Sequence, residues 1–197
     1  MSELQILFVT NNPHKLREIR EIAGNDFTVM SLGDIGFVGD IPETQDSLEG
    51  NACQKSKFIY EKTKMNCFAD DTGLEIDALD GRPGVYSARY AGEGCNFSDN
   101  INKILKELDE IENRKAKFRS VICLIIDGEE YLFEGRIDGT IGTERKGDTG
   151  FGYDPVFIPN GYQQTFAEMP PYLKNGVSHR GRAMLKMMKF IRKRVNR

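Results

Sequence analysis

The run Cys67-Phe68-Ala69-Asp70-Asp71-Thr72-Gly73-Leu74-Glu75 constrains this chain more than any other stretch, because two adjacent carboxylates end a short apolar segment just ahead of a glycine. Such a segment reads as a buried strand that delivers acidic groups to the lip of a sheet. Side chains alternate between faces along a strand, so Asp70 and Asp71 are expected to point apart, one toward chemistry and the other toward the scaffold. A proton-sharing dyad is therefore not required. With no basic residue within several positions, the pair reads as ligands for a hard cation such as Mg²⁺ ahead of a structural ion pair. Asp-Thr-Gly is also good chemistry for a solvated turn.

Around that run the sequence alternates helix and strand signals. Leu4 to Thr10 is a β-branched and aromatic run suited to a central strand, and Asn11-Asn12-Pro13 stops it. Pro13 suits the first turn of a helix over His14 to Ile22, with Leu16, Ile19 and Ile22 as its apolar stripe. Phe27 to Met30 reads as a second strand, and Ser47 to Lys64 as a helix with Leu48, Ala52, Ser56, Ile59 and Thr63 on one face. Beyond the acidic run, Leu74 to Leu79 alternates like a half-exposed strand and Asp80 to Gly84 reads as a turn. A helix is expected over Asp99 to Ile111, built on Ile101, Ile104, Leu105 and Leu108, with a solvent-facing charged end from Glu107 to Arg114. Lys117 to Ile126 and Glu130 to Ile137 form a hairpin through Asp127-Gly128-Glu129. Gly147 to Gly152 is a glycine-rich loop, and from His179 a basic amphipathic helix carries Met184, Leu185, Met188 and Ile191. This alternation predicts an α/β fold, a mixed central β-sheet flanked by helices, in a chain of 197 residues that suits one domain.

Composition then excludes several classes. The net charge of −3 argues against wholesale nucleic-acid binding, and no apolar run approaches the roughly 18 residues of a membrane span. The start Met1-Ser2-Glu3-Leu4 lacks the features of a signal peptide, so the expected location is cytoplasmic. Cys53, Cys67, Cys95 and Cys123 are widely spaced, and His14 and His179 are the only histidines, which argues against a structural zinc site and for reduced, mostly core thiols.

Candidate chemistry is scattered along the chain. Thr10-Asn11-Asn12-Pro13-His14-Lys15 lies where a strand opens into a helix, so its backbone amides and Lys15 could hold phosphate oxygens, although Asn-Asn-Pro alone is also a turn. Glu43 precedes the helix that carries Asn51 and Lys55, and Lys174 precedes Ser178-His179-Arg180, whose serine also fits a helix cap. Gly150-Phe151-Gly152-Tyr153-Asp154 begins like a dinucleotide fingerprint but lacks the third glycine, and no Walker loop occurs. Together these supply lysines, acids and amides of the kind a triphosphate needs.

The ordered set Thr10-x-Asn12-x-x-Lys15, Glu43-Thr44, Asn51-Ala52-x-x-Lys55, Ala69 to Leu74, Pro83 to Tyr90, Phe151 to Pro155 and Ser178-His179-Arg180 resembles the inosine triphosphate pyrophosphatase family over nearly the whole chain. The resemblance implies one nucleoside triphosphate pyrophosphatase domain over residues 1–197, of two lobes with a cleft, hydrolysing ITP, dITP and XTP to the monophosphate and pyrophosphate. It implies that Thr10 to Lys15 bind phosphates, that Glu43 and Asp71 hold Mg²⁺, and that Asp71 accepts the proton. Thr72 stands where the family usually has serine, and Lys55 joins Thr72 as a substrate contact. Asn11 stands where glycine is frequent, an exchange eased by asparagine's access to left-handed backbone. Phe151, Gly152, Tyr153 and Asp154 match the base-binding loop, while Lys174, His179 and Arg180 match the remaining contacts; residues from Phe166 to Lys174 fit the pattern poorly. Donors near His179 and Arg180 that face a 6-keto oxygen would reject ATP, and Phe151 would stack on the purine. Implied partners are a small nucleotide substrate and a second copy in a homodimer, with neither nucleic acid nor membrane. The alternatives are a Maf-like nucleotide pyrophosphatase of other base specificity and a non-catalytic nucleotide or RNA-binding module using the basic tail.

Overall fold

A computed structural model describes residues 4–94 and 96–195, so Cys95, Met1 to Glu3 and the last two residues of the basic tail lie outside the described residues. In chain order the elements are β1 (Gln5–Phe8), α1 (Pro13–Ala23), β2 (Thr28–Met30), α2 (Leu48–Thr63), β3 (Cys67–Ile76), β4 (Pro83–Gly84), α3 (Phe97–Glu107), β5 (Lys115–Ile126), β6 (Glu129–Ile141), β7 (Phe157–Pro159), α4 (Pro171–Val177) and α5 (His179–Val195). The sheet runs β2-β1-β3-β5-β6-β7, with β4 paired to β3. β1 is parallel to β2 and to β3, whereas β3–β4 and β6–β7 are antiparallel. This is the mixed α/β architecture expected from the alternation of elements.

The chain divides into two units, the first holding residues 1–71, 120–135 and 180–197 and the second 72–119 and 136–179. β3 passes from one to the other after Asp71, β5 at Ser120 and β6 after Gly135, and α5 does so after its first residue, His179. The acidic pair therefore ends the first unit's share of β3. In that unit, Ile6, Phe8 and Phe68 pack with Ile19 of α1 and with Met184, Met187, Met188 and Ile191 of α5. Phe8 and Phe68 stack at 4.7 Å, a contact of about 0.5–1.5 kcal/mol beyond area burial. Leu7, Val9, Cys67 and Ala69 alternate with them and pack against Ile59 of α2, so both faces of β1 and β3 are covered. The second unit has its own core, in which Leu74 and Ile76 meet Ile101 and Ile104 of α3, Phe118, Phe157 and Phe166.

Local chemistry accounts for the boundaries. Asn12 caps α1 ahead of Pro13, Ser47 caps α2 by accepting from Gly50 N–H, and Lys64 ends α2 in a left-handed conformation. The hairpin turns through Asp127 and Gly128, both with positive φ, as a two-residue connection matched to strand twist demands.

Several expectations are corrected. Leu74 and Ile76 complete β3 and do not begin a new strand; Asp77–Leu79 is a 3₁₀ turn, and Pro83–Gly84 pairs with β3 where only a turn was expected. α3 begins at Phe97 and ends at Glu107, which accepts from the Tyr90 hydroxyl and is not simply solvent-facing. On α5 Leu185 is exposed and Met187 takes the buried position. No described helix is long and apolar enough to cross a membrane.

Candidate active site

Strand alternation separates Asp70 from Asp71 as expected, and each meets a different set of cations. Asp70 is buried, pairing through Oδ1 with Lys15 Nζ at 3.0 Å and through Oδ2 with Arg180 Nε at 3.1 Å. Arg180 also donates to Glu18 Oε2 at 2.6 Å, so α1, β3 and α5 are tied by one buried chain of charges. Sequence distance hid the two cations that folding brings to Asp70. Burial, the largest single influence, pushes Asp70 up, but Lys15, Arg180 and Lys55 together outweigh it and hold the carboxyl well below the usual range. Burial pulls Lys15 down, against the opposing pull of Asp70.

Asp71 belongs to a second group. Lys55 Nζ bridges Asp71 Oδ1 at 3.2 Å and Glu43 Oε1 at 2.6 Å, and Asn51 Nδ2 donates to Asp71 Oδ2 at 3.2 Å. Asn51 Oδ1 accepts from Gln45 N–H, and Gln54 bonds both the Thr44 N–H and hydroxyl, so α2 fastens the Glu43 loop against itself. One helical turn separates Asn51 from Lys55, which puts both on the face that reaches β3. Burial raises Asp71 above the ordinary carboxylate value, with Lys55 opposing. Burial also acts first on Lys55, but Asp71, Glu43 and Asp70 outweigh it and raise the ammonium, which stays charged. Two neighbouring acids are driven in opposite directions, Asp70 fixed as an anion and Asp71 left with the greater proton affinity.

The residues fit Mg²⁺. Glu43 and Asp71 present hard oxygens from a half-exposed loop and from the middle of β3, converging on a single ammonium, and such an ion is held by one or two carboxylates with substrate phosphates completing its shell.

The phosphate cradle expected at α1 is already closed in part. Asn12 Oδ1 accepts from the His14 and Lys15 amides at 2.9 and 3.2 Å, and Thr10 Oγ1 accepts from Asn12 N–H at 3.1 Å. Pro13 has no N–H, and His14 Nδ1 accepts from Arg17. Asn11 is not among the residues with positive φ; its side chain donates to Gly39 O at 3.2 Å, so the glycine-like reading of this position is corrected.

The other expected contacts lie in the second unit. Lys174 Nζ meets Asp154 Oδ2 at 2.6 Å and sits over the Phe151 ring at 5.2 Å, and the same carboxylate oxygen accepts from Phe151 N–H at 2.8 Å. Gly150 makes this loop, because its φ is +78° and a Cβ there would lie 2.1 Å from Asp154 Oδ2. Gly152 also has positive φ, and Thr72 opens the unit half-buried. Tyr153 is a core residue whose hydroxyl donates to Ser87 O at 2.7 Å, and its phenol is pushed up by burial. His179 is buried with its ring stacked on Phe118 at 4.5 Å. Arg180 belongs to the first unit, with Asp70 and Glu18. The three lysines expected to meet phosphate, Lys15, Lys55 and Lys174, are each paired with a carboxylate.

Neither Asn51, although it stands in one of the motifs, nor Glu18 was assigned a role from the sequence. Their signal lay in helical spacing: Asn51 stands one turn before Lys55, and Glu18 stands one turn after Lys15 and one before Ile22, an acid on a half-apolar face.

Comparison with known proteins places these groups in context. Residues 6–190 match the model of the Ham1 family. A Porphyromonas gingivalis protein named dITP/XTP pyrophosphatase is 50% identical over 188 residues, covering 95% of this chain and 97% of that protein. A Flavobacterium johnsoniae protein of the same name is 46% identical over 188 residues, covering 95% and 98%. Among solved structures, the Staphylococcus aureus Ham1 protein superposes with a TM-score of 0.86 at 34% identity, covering 96% of this chain and 99% of that one. With the family pattern spanning nearly every element described above, the chain belongs to the Ham1 family.

Proposed function

We propose that this chain hydrolyses noncanonical purine nucleoside triphosphates, ITP, dITP and XTP, to the monophosphate and pyrophosphate. The observation that carries the reading is end-to-end similarity to proteins named dITP/XTP pyrophosphatase, at up to 50% identity. The placement of Glu43, Lys55 and Asp71 on shared hydrogen bonds supports it. Residues 1–197 then act as one catalytic domain.

Asp71 is the proton acceptor for the attacking water, since it is the acid whose surroundings favour taking up a proton. Glu43 and Asp71 would hold Mg²⁺, which when bound supplies charge neutralisation to the phosphate oxygens and the departing pyrophosphate. Asn51 orients the Asp71 carboxylate through Oδ2, leaving Oδ1 on the Lys55 side. Lys15 and Lys55 exchange a share of their carboxylate contacts for phosphate oxygens, with Thr10, Asn11, Asn12, Pro13 and His14 framing the same strand end. Phe151 offers the purine a ring face, in the loop that Gly152, Tyr153 and Asp154 shape and that Lys174 braces, while Thr72, His179 and Arg180 complete the substrate contacts. The enzyme works as a cytoplasmic homodimer in this reading, which light scattering of the purified chain checks.

Pyrophosphate release from ITP, XTP, GTP and ATP, with and without Mg²⁺, tests the proposal. ITP and XTP are expected to be turned over with Mg²⁺ and ATP to lag by up to about 10⁴-fold, the scale of a site built for one hydrogen-bond pattern. Equal turnover of ATP would remove the specificity, and preference for other bases would favour the Maf-like alternative. The RNA-binding alternative is weakened by the tail itself: Arg192 pairs with Asp26, and Arg194 with Asp127 and Glu129.

A further inference from the structure

The wide sequence spacing of the cysteines argues against a zinc site, but in the first unit folding overrides it. Cys53 of α2, Cys123 of β5 and Glu130 of β6 bring two sulfurs and a carboxylate oxygen within 4.8 Å of one another. Cys53 Sγ donates to Glu130 Oε1 at 3.5 Å, and Cys123 Sγ lies within 4.8 Å of Cys53 Sγ and of a Glu130 carboxylate oxygen. A tetrahedral zinc ion, with sulfur at about 2.3 Å and oxygen at about 2.0 Å, spans a sulfur–oxygen edge of about 3.5 Å. Exchanging the Cys53 proton for such an ion therefore leaves that pair of donors where it stands.

The supports are already in place. Lys57 holds the other oxygen of Glu130 at 2.9 Å, which aims Oε1 at Cys53. Ser56, one turn along α2 from Cys53, donates to the Cys123 carbonyl at 2.7 Å and pins the helix to the strand beside the site. Cys123 is buried, whereas Cys53 is half-buried and Glu130 exposed, so an ion has a way in. Charge closes as well: two thiolates and a carboxylate balance a dication and the Lys57 ammonium.

We propose that Cys53, Cys123 and Glu130 form a binding site for a thiophilic divalent cation of the zinc class, with solvent as the fourth ligand. Two sulfurs select against Mg²⁺, so this site is separate in chemistry from Glu43 and Asp71. Burial pushes both thiols up, leaving them protonated at neutral pH, and each ion bound sends two protons to solvent. The ion ties α2 to the β5–β6 hairpin and so braces the helix whose Asn51 and Lys55 hold Asp71. The site does not depend on the pyrophosphatase reading.

The test is titration of the reduced full-length chain with Zn²⁺ in excess Mg²⁺, with Co²⁺ as a spectroscopic probe. One Zn²⁺ per chain is expected, with release of two protons, a thiolate-to-cobalt charge-transfer band and a higher melting temperature. Cys53→Ser should weaken binding by more than about 100-fold, beyond the loss typical of an outer-shell partner, and abolish the thermal shift. Glu130→Gln alters an exposed side chain, so it should fold normally and bind at least about tenfold more weakly, while Cys67→Ala should bind as the parent does. Unchanged affinity in Cys53→Ser overturns the proposal. So does a chain that takes up no Zn²⁺ and under hydrogen peroxide yields a Cys53–Cys123 disulfide.

Discussion

Asp71 is under two opposed demands, since burial favours its neutral form and a proton acceptor must be ionised. In the metal-free chain the carboxyl should titrate above the ordinary Asp range, whereas in the loaded enzyme Mg²⁺ opposes burial, and activity should fall along the acid limb of kcat as pH drops through the carboxyl value that results. Asn51→Ala removes a hydrogen bond that favours the ionised carboxylate, so the limb should move to higher pH, which a kcat–pH profile reads directly; an unmoved limb would detach Asn51 from the chemistry. Asp71→Asn should lower kcat by about 10²–10⁴, the usual worth of general-base catalysis, with nucleotide affinity still measurable. Its effect on stability has the opposite sign. A folded-state value raised above the unfolded one means that the neutral form is favoured in the fold, an advantage present at acid pH and lost on ionisation, so at neutral pH Asp71→Asn should melt higher than the parent and the gap should close below the unfolded carboxyl value. Sequence made Asp71 a candidate because of where the apolar run stops, but its hydrogen-bond partners were not legible there. Asn51 and Lys55 become partners only when α2 packs beside β3.

At the scale of elements, α1 shows how capping and ligand binding compete for the same amides. Asn12 spends its carboxamide oxygen on the His14 and Lys15 N–H groups, and removing that oxygen leaves both without it. Asn12→Ala should cost about 1 kcal/mol by denaturant unfolding, the usual worth of an N-cap; no loss would mean that solvent already serves these amides. The long periodic elements, α1, α2 and the β5–β6 hairpin, were readable because their apolar positions repeat on one face or alternate across two, and Asp-Gly marked the turn. β7 and α4 were not. β7 is three residues, ending at Pro159, and α4 is seven residues opening on Pro171 and holding Gly176, too short for either period to register. The Gly147 to Gly152 loop was legible as a loop, whereas its shape was not, because that depends on Asp154 reaching back to the Phe151 amide and across to Lys174.

For the whole molecule, the chain of charges Glu18, Arg180, Asp70 and Lys15 decides how the first unit responds to acid. Arg180 arrives from residues far along the chain to meet groups of α1 and β3, with its side chain only 2% exposed. A buried pair of this kind is weak evidence for net stability, since an apolar triad of similar volume could match it, yet removing one member leaves the others desolvated and unpaired. Arg180→Met should accordingly destabilise the chain by about 3–5 kcal/mol at neutral pH. The pH dependence identifies the cause. Asp70 is held below its unfolded value, so its contribution is complete above the ordinary carboxylate range and is lost progressively as pH falls below it. In Arg180→Met the carboxyl loses one of the two cations that bond it directly and titrates higher, so the deficit relative to the parent should be largest near neutrality and shrink as both proteins are acidified. Unfolding free energies measured from neutral to strongly acidic pH distinguish this from a packing defect, for which the deficit stays constant across the range. A constant deficit would mean that Arg180 acts as volume, and that the charges around it are spectators to the fold.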